Sequence, residues 1–393
     1  IFQTLDDKDN CLLVYVNEQL KKTLPKNLST TWSHASYLCD RNIQYAQLYC
    51  GGKSLDQACP KHLRKEWDKI YDRLRAYYRS MKEAKLNLEE HCFFDMVPKQ
   101  FLLDYCEIKN KITKHVFQSY EKPFNYDFLV SLQEAITDIK YQKLNINPFE
   151  LKDRMHEFKA RKFLNKVQHM APYIKFNLFG SKTGRLTTKK GSFPILTMDK
   201  SYRRIIRPNN NWFVEFDFNA MELRTILSLL GQAQPEEDLH DWNVKNVYRG
   251  LLNREKAKER IFAWLYNPAA KDYLSEQAYK RDLIKMKFWD GTKVTTIFGK
   301  EIESDEYHAV NYIVQATAAE IFLRQFVKIR NLLKGRLSKI AFCIHDSLVI
   351  DFSEKDIDIL VELKQAFADT GMGNFLVNVK AGKNFGEMET LNI

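Results

Sequence analysis

The chain has 393 residues, 45% hydrophobic and 28% charged, with only 14 glycines and 10 prolines, which is the composition of an ordinary soluble protein. That length leaves room for two or three domains or subdomains with proper cores. No segment approaches the roughly 20 apolar residues that cross a bilayer, and no signal peptide is visible, so no membrane partner and a cytoplasmic location are expected. Lys plus Arg exceed Asp plus Glu by 61 to 50, a surplus compatible with a polyanionic partner.

The seven cysteines, at 11, 39, 50, 59, 92, 106 and 343, form no CxxC pair and show no zinc-ligand spacing. An odd, scattered set reads as reduced thiols filling small core positions, with no metal and no disulfide framework.

Residues 1 to 60 are mixed, with one strand-like run, CLLVYV, and no repeat. From 61 the pattern turns helical: Leu63, Trp67, Ile70, Leu74, Tyr77 and Met81 recur at three- and four-residue spacing as one apolar stripe. The segment 61 to 85 also holds nine Lys or Arg. A second helix opens at Pro98, a favourable first-turn residue, with Phe101, Tyr105, Ile108, Ile112 and Val116 inward. A third runs from Phe128 to Ile139. From about 171 the texture becomes loop-rich and basic, and the span 182 to 207 has eight basic residues against one acidic residue, Asp199.

Then NWFVEFDF alternates as a strand and AMELRTILSLLG follows as a helix. Residues 236 to 286 read as mostly helix, 291 to 303 as a short hairpin, and 305 to 333 as another helix. The run AFCIHDSLVIDF reads as two buried strands, 341 to 344 and 348 to 352, around His345, Asp346 and Ser347. A final helix and strand close the chain. Strands and helices alternate irregularly, so the expected class is α+β and not a doubly wound parallel sheet.

Two carboxylates close apolar strands. Asp217 ends WFVEFDF and Asp346 interrupts the later hairpin. A buried charge is costly without compensation, and two such side chains can clamp a pair of divalent ions during phosphoryl transfer. The bland reading of Asp346 is a turn residue, and nothing in the spacing alone brings the two together. The segment NREKAKERIFAWLYNP places Arg254, Lys258, Phe262 and Tyr266 at strict four-residue steps. On a helix they share one slowly turning face about 18 Å long. Two cations followed by two aromatics suit a nucleotide, phosphates at one end and base and sugar at the other. An amphipathic helix with its rings in a core is the competing reading.

These segments resemble the signatures of the family A (DNA polymerase I-type) DNA polymerases. DFNAMELR at 217 to 224 is similar to the first palm motif, RxxxKxxxFxxxY from 254 to 266 to the fingers-helix motif, and HDS at 345 to 347 to the last palm motif, His-Asp-Glu. TGRL at 183 to 186, DLH at 238 to 240, NYIVQATAAE at 311 to 320 and AGKNFGEM at 381 to 388 follow the family's order too.

The resemblance implies a right-hand architecture: a helical thumb over 61 to 170, an antiparallel-sheet palm over 171 to 232 and 306 to 393, and mainly helical fingers over 233 to 305. Residues 1 to 60 would be a separate N-terminal segment, either the edge of a missing exonuclease domain or a linker of unknown role. The implied activity is template-directed addition of deoxynucleotides to a primer 3′-hydroxyl with two Mg²⁺ ions. The implied partners are primer-template DNA and deoxynucleoside triphosphates, and the protein would be a monomer.

By the same resemblance Asp217 and Asp346 would hold the metals. Arg254 and Lys258 would bind the triphosphate with His240 beside them, Phe262 would pack on the sugar, and Tyr266 would sit near the nascent base pair. Glu222 would stand under the sugar's 2′ position and exclude ribonucleotides. Arg185, Asn311, Gln315 and His345 would contact the primer-template.

The sequence departs from the family at four places. Ser347 stands where a Glu is usual, so a third palm carboxylate is expected to be absent. Asn267-Pro268 replaces a glycine and should stop the fingers helix early, because residues before proline disfavour helix. Tyr307 stands where an Arg is expected, and the segment between His240 and Arg254 is short. The compact fingers point to a viral replicative enzyme. No Asp-x-Glu occurs in the chain, so proofreading is expected to be absent from it; the start at Ile1 leaves an exonuclease domain upstream open. The alternatives are a single-subunit RNA polymerase-like enzyme, against which Glu222 argues, and a catalytically inactive nucleic-acid-binding relative, against which the joint presence of Asp217, Asp346, Arg254 and Lys258 argues.

Overall fold

Apolar side chains from the first 58 residues share a core with the helices that follow them. In the computed structural model, which describes residues 1–39 and 41–393, Leu5, Tyr15, Trp32, Ala46, Cys50 and Ala58 are buried in one cluster with Trp67, Ile70, Phe101, Ile108 and Ile112. The first compact unit is therefore Ile1–Lys143 with His169–Phe179 and Gly191–Phe193. Its boundary falls at 143, not at the composition changes near 60 and 170, because burial and not charge texture sets it.

The unit holds a three-stranded sheet of Gln3–Thr4 (β1), Val14–Val16 (β2) and Gln19–Lys21 (β3). Its three long helices are Arg64–Glu83 (α1), Lys99–Ser119 (α2) and Tyr126–Lys140 (α3). The apolar stripe read on α1 faces inward at Trp67, Ile70 and Leu74. All five positions read as inward on α2, from Phe101 to Val116, are buried.

The cysteines correct one expectation. Cys11 and Cys92 form a disulfide with Cα atoms 5.6 Å apart; Cys50, Cys59, Cys106 and Cys343 remain thiols, and Cys39 Sγ lies 3.9 Å from His34 Nε2. The two are 81 positions apart, and only the packing of the loop before β2 against the turn before α2 brings them together. His34, Cys39 and Glu134 also bring their ligand atoms within 4.8 Å of one another, a grouping that cysteine spacing does not signal. Among the described residues no helix is long and apolar enough to cross a membrane.

The second unit, Leu144–Gln168, Gly180–Lys190 and Pro194–Ile393, is built on a five-stranded antiparallel sheet. Its strands are Trp212–Phe218 (β4), Lys339–Ile344 (β5), Ser347–Phe352 (β6), Val377–Gly382 (β7) and Glu389–Thr390 (β8), in the spatial order β5–β6–β4–β7–β8. Alternation along β4 divides its side chains between two faces. Phe216 and Phe218 turn to the Phe367 ring, with centroids 5.8 and 4.3 Å away. Glu215 and Asp217 share the other face and stay half-exposed.

Four further helices matter for the site: Met221–Leu229 (α4), Arg254–Tyr266 (α5), Glu306–Leu332 (α6) and Leu360–Ala368 (α7). The long α6 is buried along most of its length, from Ala309 to Ile329, as suits a central helix. The helix α5 ends at Tyr266, with Asn267 as an extended cap before Pro268, as the pre-proline restriction requires. The hairpin expected over 291 to 303 is present as Lys293–Thr295 paired with Glu301–Glu303.

Candidate active site

The sheet register brings the two carboxylates together. In the β4–β6 ladder Asp217 stands directly opposite Ser347, the residue after Asp346. Because Ile344 pairs with Ser347, the β5–β6 turn consists only of His345 and Asp346. Two-residue hairpin turns need positive φ, and His345 supplies it at φ 52°. His is among the non-glycine residues that tolerate this region. The turn thus sets Asp346 beside the end of β4.

Burial first, then the neighbouring charges of Glu215 and Asp346, push the Asp217 carboxyl up to about 6. Asp346 is also raised by burial, with the Arg185 guanidinium opposing the shift. Carboxylates pushed up by burial and by one another are short of positive charge. An all-oxygen donor set of this kind suits a hard divalent cation such as Mg²⁺.

Glu222, in the first turn of α4, receives a hydrogen bond from Arg185 Nη2 at 2.7 Å. The Tyr266 hydroxyl is buried beside Glu222 and Gln315 without a well-formed hydrogen bond; burial and then the Glu222 charge raise its pKa. Phe262 and Tyr266 lie parallel with centroids 6.0 Å apart, and the His240 ring is 5.9 Å from Phe262. Burial lowers the pKa of His240, and the charges of Lys258 and Arg254 lower it further.

The α5 motif therefore presents one face, as its four-residue spacing predicts. Ala257, Ile261, Trp264 and Leu265 fill the core on the other side. Among the described residues Lys258 makes no ion pair, whereas Arg254 is held by Asp238 at 2.9 Å and lies 3.5 Å from Asp241. Asn311 and Gln315 lie four residues apart on α6, and Gln315 reaches Tyr266.

Within this set Arg185 Nε, His240 Nδ1, Tyr266 Oη and Asn311 Oδ1 are buried and lack a hydrogen-bond partner among the described residues. Native buried polar atoms are nearly always paired, so these atoms are available to water or a ligand. Tyr266 and Asn311 border a cavity of about 350 Å³ together with Pro268, Arg281 and Tyr307. Two of the sequence departures, at 267–268 and at 307, therefore converge on one cavity.

Several contributing residues lie within the quoted motifs but receive no role from the sequence. Arg224 is fully buried and donates to Asn219 O at 2.8 Å, Pro235 O at 2.8 Å and Glu237 O at 2.9 Å. It ties the β4–α4 junction to the segment before His240, and burial lowers its pKa to about 10. Asn219 donates to Asp238 at 2.7 Å and accepts from the Leu239 amide at 2.9 Å. Burial alone would raise Asp238, but hydrogen bonds from Arg254 and Asn219 hold it down at about 2.

The expectation of a missing third carboxylate beside Ser347 also needs revision: Ser347 Oγ donates to Glu215 Oε1 at 2.7 Å. The β4 alternation that puts Glu215 on the Asp217 face was a readable signal for it.

The fold of this chain is similar to that of a solved DNA polymerase domain. Among the solved structures it resembles is the POL domain of Pol1 from M. smegmatis in complex with DNA primer-template and dNTP, at a TM-score of 0.55. The match covers 73% of this chain and 76% of that one at 12% identity, so the likeness is one of fold. No protein-family profile matches the chain, and no curated protein matches it in sequence.

Proposed function

We propose that the protein is a template-directed DNA polymerase that adds deoxynucleotides to a primer 3′-hydroxyl. The observation that carries this reading is the register of β4 against β6, with Asp217 across from Ser347 and beside Asp346. The polymerase-domain fold supports it. On this reading β4 to β8 with α6 form the palm, α5 belongs to the fingers, and the helices of the first unit supply the thumb.

Asp217 and Asp346 would hold two Mg²⁺ ions, which when bound offset charge developing on the phosphates and assist the attacking hydroxyl. The protein's own contribution is positional. Lys258 and Arg254 bind the triphosphate, and Arg254 must exchange part of its hold on Asp238 and Asp241 to do so. His240 lies beside them, its pKa lowered by burial, and can donate one hydrogen bond from a ring N–H to a phosphate oxygen. Phe262 packs on the sugar, Tyr266 meets the nascent pair, and Glu222 closes the space under C2′. Arg185, Asn311, Gln315 and His345 border the primer terminus. Contacts to the duplex run to its phosphates, so affinity falls steeply with salt.

Primer extension with Mg²⁺, comparing deoxy- and ribonucleoside triphosphates, tests the reading. Templated extension with deoxynucleotides is expected. Duplex binding with no extension would leave a nucleic-acid-binding protein, and preferential extension with ribonucleotides would make it an RNA polymerase.

A further inference from the structure

We propose that His34, Cys39 and Glu134 form a site for one Zn²⁺ ion that pins the segment 34 to 39 to helix α3. The site belongs to the first unit and does not depend on the polymerase reading.

Local structure brings the first two ligands together. Ser36–Leu38 forms a single 3₁₀ turn between His34 and Cys39, and Cys39 Sγ comes to 3.9 Å from His34 Nε2. Ala35 and Leu38 are buried in one cluster with Tyr126 of α3, and Leu129 and Val130 pack against it. Residues four apart share a helix face, so Glu134, one turn beyond Val130, is presented to the same segment. A ring nitrogen, a sulfur and a carboxylate oxygen thus lie within 4.8 Å of one another. His34 is 4% exposed, and its ring meets the buried Tyr45 edge-on with centroids 5.5 Å apart, which fixes its orientation.

The donor set selects the ion. Zn–S and Zn–N bonds of about 2.3 and 2.0–2.1 Å at a tetrahedral centre put sulfur and nitrogen about 3.6 Å apart, so the observed 3.9 Å needs only a small closure. Thiolate and imidazole favour Zn²⁺ over Mg²⁺. Three protein ligands leave one tetrahedral position, which water can fill. The other grouping of this kind, Asp6 with Cys11 and Cys92, has spent both sulfurs on the disulfide. Cysteine spacing gives no hint of the site, because it takes a single cysteine and its third ligand comes from a helix far along the chain. The competing account is a thiol–imidazole contact beside a carboxylate, with no ion.

The test uses the whole chain, made without a polyhistidine tag, stripped with chelator and titrated with Co²⁺ as a spectroscopic stand-in for Zn²⁺. One equivalent of Co²⁺ is expected to give a sulfur-to-cobalt charge-transfer band and the strong visible bands of tetrahedral cobalt. Zn²⁺ should abolish both, and excess Mg²⁺ should not. Cys39→Ser should remove the charge-transfer band, Glu134→Gln should weaken Co²⁺ binding on the order of 10-fold or more, and Cys59→Ser should change neither. Circular dichroism checks that each variant folds. Glu134→Gln preserves size at a half-buried helix position, so it remains decisive even if Cys39→Ser does not fold. No charge-transfer band in the parent chain, a band that survives Cys39→Ser, or unchanged affinity in Glu134→Gln would overturn the proposal.

Discussion

Arg185 Nη2 lies 2.7 Å from Glu222 Oε1. The same guanidinium interacts favourably with the Asp346 charge, which together with Glu222 outweighs the burial that would lower its pKa. Glu222 is thus held in place by a cation that also faces Asp346 at the end of the sheet. A side chain pinned this way can close a sugar pocket sterically, because it cannot swing aside at low cost. Glu222→Ala opens the pocket and is expected to lower the preference for deoxy- over ribonucleotides by on the order of 10- to 100-fold, the range of discrimination from small steric differences. Single-nucleotide incorporation with matched dNTP and rNTP measures it; an unchanged ratio removes this role from Glu222.

Phe262 lies parallel to Tyr266 and tilted to His240, partly buried against the core on which α5 packs. As phenylalanine it offers no hydroxyl to a sugar that has lost its own 3′-OH. Phe262→Tyr is expected to relax rejection of dideoxynucleotides, again by on the order of 10-fold or more. Competing ddNTP against dNTP in a primer-extension ladder reads the change, and equal termination in both proteins would count against the placement of the sugar.

The proposed metal ligands admit a direct separation of chemistry from binding. Asp217→Asn and Asp346→Asn preserve size and remove a charge from a cluster that burial already disfavours. Each should cost several kcal/mol of transition-state stabilisation, about 1,000-fold or more in rate. Duplex affinity, followed by fluorescence anisotropy, should hold or rise slightly as negative charge is lost. Parallel loss of duplex binding would instead mean that these side chains hold the sheet together.

What was legible before the structure follows from range. The α5 face is local: four residues at a fixed step, and the helix keeps them in line whatever surrounds it. The strand–turn–strand around His345 is local too, since two apolar runs and a polar interruption define a hairpin. The connections from Arg224 through Asn219 and Asp238 to Arg254 were not legible, although each residue lies in a motif quoted from the sequence. An Arg in an amphipathic helix usually reaches solvent, and only the fold of residues 230 to 238 back over α4 makes it a buried staple. The Cys11–Cys92 bridge was hidden for the same reason, because an 81-residue separation carries no pairing information. Glu215 lies between these cases. Its face was readable from alternation, but its partner Ser347 required the register between two strands far apart in the chain.

Lys109 provides a test that does not depend on the polymerase reading. It lies on α2, 5% exposed, where its ammonium donates to Thr4 O at 2.9 Å and stands 5.8 Å from the Tyr105 ring. Burial lowers its pKa from 10.5 to about 8, against smaller opposing effects of Cys106 and Asp7. Below pH 8 the amine is charged in both folded and unfolded chains, and the folded state bears the full cost of burying it. Between about pH 8 and 10.5 the unfolded chain holds more protons, so stability gains from this group as pH rises. Lys109→Met removes the buried charge but strands the Thr4 carbonyl, which offsets part of the gain. The variant is expected to be more stable at pH 7 by about 1–3 kcal/mol, with the advantage shrinking above pH 8 and gone near pH 10.5. Urea unfolding followed by tryptophan fluorescence at pH 7 and pH 10 decides it. A methionine variant equally destabilised at both pH values would mean that the bond to Thr4, and not the cost of burying charge, dominates at this site.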